Sequence, residues 1–369
     1  MHFYTSVNNH YMAKAIVLAK SVKKYHPNSR FSLVLSDKIP DELDVDSSPF
    51  DEIVTIEQLG IPVANLNQWI FEHTIVELCT AVKGQALVNF LEQGSDKVIY
   101  LDPDIEVFAE LSEIDALLND NDILLTPHQT IPEDTYQDVV NNEICSLMHG
   151  VYNFGFYAVR NSENGLKFAK WWRDRLIDFC YDDIPHGIFT DQKWGDLAPA
   201  LFDGVHIIKS PAYNVSTWNL SHRKITHKDG SFFVNGEPLQ FYHFSGFDSG
   251  AQKVMLDLYA KDGDPAFVLR DMYIEKQNKA GQEMYVKYSS IYDTFDNGEK
   301  ITANQRKIMR ERKDVEEYFA NVNPYVVDQE KSFYKWYATE ICNKNNNEKQ
   351  TKAKKKFSIK NIVKKLWRE

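Results

Sequence analysis

The chain has 369 residues, 43% of them hydrophobic and 13% aromatic, enough to bury one large α/β core with an appendage or two modest domains. Its formal charge of −11 argues against general nucleic-acid affinity. No window approaches the roughly 18 consecutive apolar residues of a membrane-spanning helix, and the start, Met1-His2-Phe3-Tyr4-Thr5, lacks a charged region followed by an apolar stretch, so a cytoplasmic location is expected.

His2 to Val7 is a short apolar run with the composition of a strand, and Tyr11 to Tyr25 carries Ala15, Ile16, Ala19 and Val22 at helical spacing. Phe31 to Ser36 and Glu52 to Ile56 read as strands, Val76 to Glu92 as a long helix, and Lys97 to Leu101 as a strand running into Asp102. Asp122 to Thr126 and Tyr152 to Val159 follow as strands, Glu163 to Phe179 and Asp191 to Phe202 as helices. Val205 to Lys209 and Gln240 to Phe244 are short strand candidates flanking Asp229-Gly230 and Asn235-Gly236, which have hairpin character. From about Ala251 the periodicity is helical. Alternating strands and helices predict a Rossmann-like, doubly wound, mostly parallel α/β sheet with a helical C-terminal extension. The expected divisions are residues 1–250 for the catalytic domain, 251–345 for the helical region and 346–369 for a basic tail. Ligands of such sheets bind beyond the carboxyl ends of the strands, where Ser6 to Tyr11 and Asp102 to Asp104 both fall.

Tyr100-Leu101-Asp102-Pro103-Asp104 places two carboxylates, one residue apart, at the end of an apolar strand. Hard cations such as Mg²⁺ and Mn²⁺ take oxygen ligands, and a metal bridging a diphosphate needs only one or two protein carboxylates with neighbouring ligands. A D-x-D triplet alone is common in solvated turns, so its meaning depends on what accompanies it.

Several accompanying segments, in order along the chain, resemble glycosyltransferase family 8 and its GT-A relatives. Val7-Asn8-Asn9-His10-Tyr11 with Ala19-Lys20-Ser21-Val22 and His26-Pro27 is similar to the nucleotide-binding opening of that family. The match implies that Ser6, Asn8 and His10 line the base and ribose. Thr80 to Gly84 resembles the place of a basic residue reaching the diphosphate, which makes Lys83 a donor-binding candidate. Tyr152-Asn153-Phe154-Gly155-Phe156 is similar to the F-N-x-G strand, where the resemblance gives Asn153 to the sugar and Gly155 to a close approach of ligand to backbone. Asp191-Gln192 resembles the dipeptide beside the anomeric carbon of retaining members, Asn214 corresponds to an Asn lining the site, and His243 with Gly246 fits the H-x-x-G element whose His joins Asp102 and Asp104 on the metal.

The chain departs from the pattern after that element. The family usually continues Lys-Pro-Trp, its lysine holding the diphosphate, whereas here the stretch is Phe247-Asp248-Ser249-Gly250. Lys253 and Arg223 are the nearby cations that sequence offers instead. Asn8 also stands where an Asp often pairs with uracil.

The resemblance implies transfer of a sugar from a nucleotide-sugar, a UDP-sugar first, to a saccharide or lipid-linked glycan acceptor, with Mn²⁺ or Mg²⁺ at the leaving group, in cell-surface polysaccharide or lipopolysaccharide synthesis. It implies retention, while Asp191, a carboxylate close to the sugar, keeps an inverting general base open. Two other classes compete. A nucleotidyltransferase also uses paired acids and a metal, but no Gly-rich phosphate loop lies near the first strand. A degenerate, carbohydrate-binding subunit would account for the missing lysine.

Residues 351–369 hold eight Lys or Arg against Glu369, a net +7, which leaves −18 on residues 1–350. Ile359, Ile362, Val363 and Leu366 fall on one helical face with lysines on the other, the pattern of an interfacial helix on anionic lipid. Peripheral attachment to an inner membrane face is therefore expected.

Overall fold

The computed structural model describes residues 1–340. The basic tail, including the amphipathic pattern over 351–369, lies outside the described residues. The chain forms two compact units, one built from Met1–Pro62 and Ile75–Ile291, the other from Val63–Thr74 and the chain from Tyr292 onward. The helices Ala251–Tyr259 and Pro265–Lys279 belong to the first unit.

The first unit is built on a seven-stranded sheet, with smaller sheets beside it. β1 (His2–Val7) leads through a 3₁₀ turn into α1 (Met12–Tyr25), followed by β2 (Arg30–Leu35) and β3 (Glu52–Thr55). After α2 (Leu66–Phe71), which belongs to the other unit, come α3 (Ile75–Glu92), β4 (Lys97–Leu101), β5 (Ile105–Val107), α4 (Ser112–Asp120), β6 (Ile123–Pro127) and β7 (Tyr152–Arg160). The main sheet runs in the order Val205–Ile207, β6, β7, β4, β1, β2, β3. Every pairing is parallel except those of β7, which is antiparallel to β4 and to β6. The mostly parallel α/β sheet expected from sequence is thus present, with one reversed strand, β7, between β6 and β4.

Both faces of the sheet are covered, which explains why β1, β2 and β4 read as nearly continuous apolar runs. Phe3, Ile99, Leu101, Phe156 and Ala158 share one cluster with α1 residues Met12, Ala15 and Leu18. Tyr4, Tyr100 and Tyr157 point the other way. Tyr4 meets Phe90 of α3 at 5.2 Å between ring centroids, and Tyr157 meets Trp172 of the helix Glu163–Phe179 at 4.9 Å.

Two local outcomes differ from the sequence pattern. Asp191 to Phe202 is not one helix but two short ones, Gln192–Gly195 and Ala198–Leu201. Gly195 packs so tightly that an added Cβ would stand 1.8 Å from Phe154 Cε2, and Pro199, at the start of the second piece, has no N–H with which to continue the first. The second difference is β5, too short to show periodicity. It pairs antiparallel with Phe241–His243, setting His243 opposite Ile105. The hairpins behave as their sequence suggests, with Asp229, Gly230, Asn235 and Gly236 all at positive φ.

In the second unit Phe71, Phe295, Met309, Val315, Phe319 and Phe333 form a core. Arg306 serves it structurally, donating to the carbonyls of Phe71, His73 and Tyr292 at 3.0, 2.6 and 2.7 Å.

His2 makes the sheet unit sensitive to acid. Its ring nitrogens lie 2.7 Å from Ser95 Oγ and 2.8 Å from Ser32 Oγ, and burial, reinforced by the nearby Arg30 charge, pulls its pKa from 6.5 down to about 4. Between those values the unfolded chain binds a proton that the folded chain refuses. Stability contributed here therefore falls as pH drops through that window, by up to about 1.4 kcal/mol per pH unit. His2→Gln is expected to flatten the change in unfolding free energy measured by denaturant titration between about pH 7 and about pH 5.

Candidate active site

The site forms where five segments of the chain meet. β4 ends at Leu101, and its antiparallel register on β7 pairs Leu101 with Phe156, so that the Asp102 N–H donates to the Gly155 carbonyl at 2.8 Å. Asp102 and Asn153-Phe154-Gly155 become neighbours. The turn Asp102 to Asp104 leads into β5, whose pairing with Phe241–His243 delivers His243, and the Phe244 N–H closes that edge on the Asp104 carbonyl at 2.8 Å. α3 supplies Lys83, and the segment before Gln192–Gly195 supplies Asp191.

Asp102, Asp104 and His243 each offer one ligand atom, all within 4.8 Å of one another. His243 Nε2 lies 3.0 Å from Asp104 Oδ1 and 3.7 Å from Asp102 Oδ2. A cation held at about 2.1 Å sets adjacent ligand atoms roughly 3 Å apart and opposite ones roughly 4.2 Å apart. Two carboxylates and an imidazole at this spacing fit Mn²⁺ or Mg²⁺ in both geometry and donor type. Burial disfavours the imidazolium of His243, but the Asp104 carboxylate outweighs it and raises the pKa above the usual value. The other ring nitrogen is fixed by Asn214, whose Oδ1 accepts from Nδ1 at 3.2 Å. That bond orients the ring so that Nε2 faces the two acids.

Asn214 is the hub of the polar network. Its amide donates to Thr126 Oγ1 at 2.9 Å and to Asn153 Oδ1 at 3.0 Å. It holds this place with φ of 51°, a conformation Asn tolerates better than most residues. Asn153 in turn accepts from the Gly155 N–H at 3.1 Å and lies 3.0 Å from His128 Nε2. Gly155 matters in a way the sequence pattern did not suggest. A Cβ there would stand 2.4 Å from His243 Cε1, 2.7 Å from Asn153 Oδ1 and 2.8 Å from Asp102 Oδ2, so the missing side chain is the space into which the site's own groups pack.

Lys83, 3% exposed, reaches Asp102 Oδ1 at 3.1 Å and Asp191 Oδ2 at 2.9 Å. The second contact is ionic rather than a well-aligned hydrogen bond. Burial opposes the ammonium, yet the two carboxylates hold it charged, with a pKa above its ordinary value. Asp191 is raised because its burial outweighs the pull of Lys83. The Trp172 indole N–H donates to the Asp191 carbonyl at 3.2 Å, and Thr190 just before it has φ of 42°, a strained value for a β-branched residue that turns Asp191 inward. Gln192 is fully engaged by protein groups, its Oε1 accepting from the Phe154 N–H at 3.1 Å and its amide donating to the His149 carbonyl at 3.1 Å.

Nine of the sequence candidates thus form one connected cluster: Lys83, Asp102, Asp104, Asn153, Gly155, Asp191, Gln192, Asn214 and His243. The others make their contacts outside it. Ser6, carried towards Asp102 by the register of β1 on β4, donates its hydroxyl to the Cys79 carbonyl at 2.7 Å. Asn8 is buried at the end of β1 and His10 is half-buried beside Tyr11. Gly246 turns the chain after His243 at φ of 73°. Neither Lys253 nor Arg223 replaces the absent lysine: Lys253 pairs with Asp257 at 2.5 Å on an exposed helix face, and Arg223 donates to the carbonyls of Pro211 and Tyr213.

Several participants carried no sequence signal. Tyr100 donates its hydroxyl to Asp102 Oδ1 at 2.7 Å. Trp218 has its ring 5.2 Å from that of His243 and 5.4 Å from that of His128, and its buried indole N–H has no acceptor among the described residues. Lys14 of α1, 2% exposed, reaches Asp248 at 2.5 Å. Only position at strand ends could have flagged Thr126 and His128, and nothing local links Lys14 to Asp248.

No family model matches the chain. Among curated proteins it is similar to two from Bacillus subtilis (strain 168), both described as uncharacterized. YfnD is 25% identical over 257 residues, 68% of this chain and 79% of that protein. YfnF is 26% identical over 243 residues, 63% of this chain and 77% of that protein. Similar solved structures are glycosyltransferases. One is the galactosyltransferase LgtC in complex with donor and acceptor sugar analogs, with a TM-score of 0.42 and 16% identity over 76% of this chain and 96% of that one. Another is the glycosyltransferase GlyE in Streptococcus pneumoniae TIGR4, with a TM-score of 0.42 and 15% identity over 80% of this chain and 66% of that one.

Proposed function

We propose that the chain is a metal-dependent GT-A glycosyltransferase that moves a hexose from a nucleoside-diphosphate sugar, foremost a UDP-sugar, to a saccharide or lipid-linked glycan, with retention, in cell-surface polysaccharide or lipopolysaccharide synthesis. The observation that carries this reading is the junction of the Asp102, Asp104 and His243 triad with the buried Lys83 and Asp191 pair beyond the ends of β1 and β4. A divalent cation bound by the triad would supply charge stabilisation to the departing diphosphate.

The chain's own groups do the rest. Lys83 presents an ammonium beside the triad, fixed by two carboxylates and therefore preorganised for developing negative charge. Asn153, with its Oδ1 held by Asn214 and Gly155, orients the sugar. Retention is proposed from the resemblance of Asp191-Gln192 to the dipeptide of retaining members, with Asp191 held in place by Lys83 and by the Thr190 hydroxyl at 3.2 Å. No helix among the described residues is long and apolar enough to cross a membrane. The basic residues 351–369 would bring the protein to an anionic lipid surface peripherally, close to a lipid-linked acceptor.

The test is calorimetry of the full chain against UDP, GDP, ADP and CDP, with Mn²⁺ or with chelator, beside an Asp102→Ala, Asp104→Ala variant. Metal-dependent binding of one nucleotide that disappears in the variant is expected. No binding by folded protein under any condition overturns the reading, and metal-dependent binding without sugar transfer or donor hydrolysis transfers it to a carbohydrate-binding subunit.

A further inference from the structure

We infer that Lys14 is a second cationic contact for the donor's diphosphate, held by Asp248 in the free protein and released to the phosphates when donor binds. The inference rests on the transferase reading above.

Lys14 is an unusual occupant of its position. It lies in the first turn of α1, directly after the Asn9–Tyr11 turn, and its side chain is 2% exposed. A buried ammonium is stable only with an anion close by, and Asp248 supplies one at 2.5 Å. The ammonium also lies over the Tyr11 ring at 4.2 Å and the Phe247 ring at 5.6 Å. These contacts hold it against the turn 244–250, which begins where the Phe244 N–H bonds to the Asp104 carbonyl. Burial opposes ionisation of Asp104, and the charges of His243 and then of Lys14 outweigh it, so the field of Lys14 reaches that carboxylate.

The partner is unlike the other acids of the site. Asp248 is 33% exposed and stands on a turn flanked by Gly246 and Gly250, both at positive φ. When another anion takes over Lys14, a buried carboxylate would be left stranded without a counter-charge, whereas a partly exposed one can turn into water. The pair is therefore built to exchange its anion.

Charge balance gives the exchange a purpose. A divalent cation is balanced by Asp102 and Asp104, and Lys83 is already shared between Asp102 and Asp191. The donor's diphosphate, about −2 and rising towards about −3 as the nucleoside diphosphate departs, would leave uncompensated charge in a dry site unless another cation came in. Lys253 and Arg223 have other partners. Among the described residues, Lys14 is the cation beside the triad whose anion can leave.

The two residues of the pair predict effects of opposite sign. With whichever of UDP, GDP, ADP and CDP binds in the presence of Mn²⁺, Lys14→Met is expected to weaken affinity about ten-fold or more, and Asp248→Asn to strengthen it several-fold. A bridge that only fastens the turn would instead make both variants weaken binding alike, and that result overturns the inference, as does unchanged affinity in a folded Lys14→Met protein. If Lys14→Met does not fold, Asp248→Asn decides alone: tighter binding supports the inference, and unchanged or weaker binding removes it. Absence of nucleotide binding by the wild type removes the transferase reading and this inference with it, whereas normal wild-type binding with unresponsive variants removes the inference only.

Discussion

Lys83→Met is expected to destabilise the protein by about 3–5 kcal/mol, the range for breaking a buried ion pair by deleting one partner. The side chain is 3% exposed and bridges Asp102 and Asp191, the latter also 3% exposed. Methionine fills the volume but leaves the Asp191 carboxylate buried near Asp102 with no compensating charge. Asp191 already has a raised pKa because its burial outweighs its attraction to Lys83, and loss of the ammonium raises it further. A group whose folded pKa exceeds its unfolded value loses stability as pH rises through that interval. The deficit of the variant relative to the wild type should therefore be small near the ordinary carboxylate pKa of about 4 and grow as pH rises above it. Adding Asp191→Asn should restore a large part of the loss, because the neutral amide needs no counter-charge. Denaturant unfolding of the four proteins in a double-mutant cycle measures the coupling, and a coupling near zero would show that Lys83 is held by packing rather than by charge. Metal-dependent nucleotide binding is expected to stay weak in the double variant even when stability returns.

Residues 97–104 show why part of this site was legible in the sequence. The run Lys97 to Leu101 is apolar because both sheet faces are covered, and the two acids that follow it fall at the carboxyl end of a strand, where open α/β sheets bind their ligands. Asn153, Gly155, Asp191, Asn214 and His243 were reached because each lies in a short local pattern that resembles a known one. Pairings between segments that carry no pattern were hidden. Lys14 and Asp248 are 234 residues apart, and either one alone reads as a solvated charge. β5 has three residues, too few for a period-2 signal, yet its pairing with Phe241–His243 is what brings His243 to Asp104. The segment Val63–Thr74 interrupts the first unit and packs into the second, an excursion that no change of composition announces. The same limit explains the split helix after Asp191: periodicity runs through Gly195, but the space beside Phe154 does not.

Gly155→Ala is expected to abolish metal-dependent nucleotide binding, lowering affinity at least about 100-fold, while costing roughly 1–3 kcal/mol of stability, as overpacking of a filled interior does. The methyl group would enter a space bounded on three sides by the site's own machinery: His243 Cε1 at 2.4 Å, Asn153 Oδ1 at 2.7 Å and Asp102 Oδ2 at 2.8 Å. None of these is a free chain end that can swing aside. His243 is tied through Nδ1 to Asn214 and faces Asp104 through Nε2. Asn153 is tied to Asn214 and to the Gly155 N–H itself. Asp102 is held by Tyr100 and Lys83. Relief by movement of β7 is blocked as well, since Gly155 lies in the middle of a strand bonded to β4, with its carbonyl accepting from the Asp102 N–H. The methyl must therefore push apart the imidazole and one carboxylate that together form the metal-sized triad, and displacements of about 0.5 Å already matter at such a centre. Mn²⁺ titration followed by calorimetry, with a denaturant curve on the same sample, separates the two effects. A variant that remains folded yet loses Mn²⁺ and nucleotide together places the role of Gly155 in the spacing of the triad. A folded variant that keeps Mn²⁺ affinity within about two-fold would mean that Asp102 and His243 do not share a cation at this point.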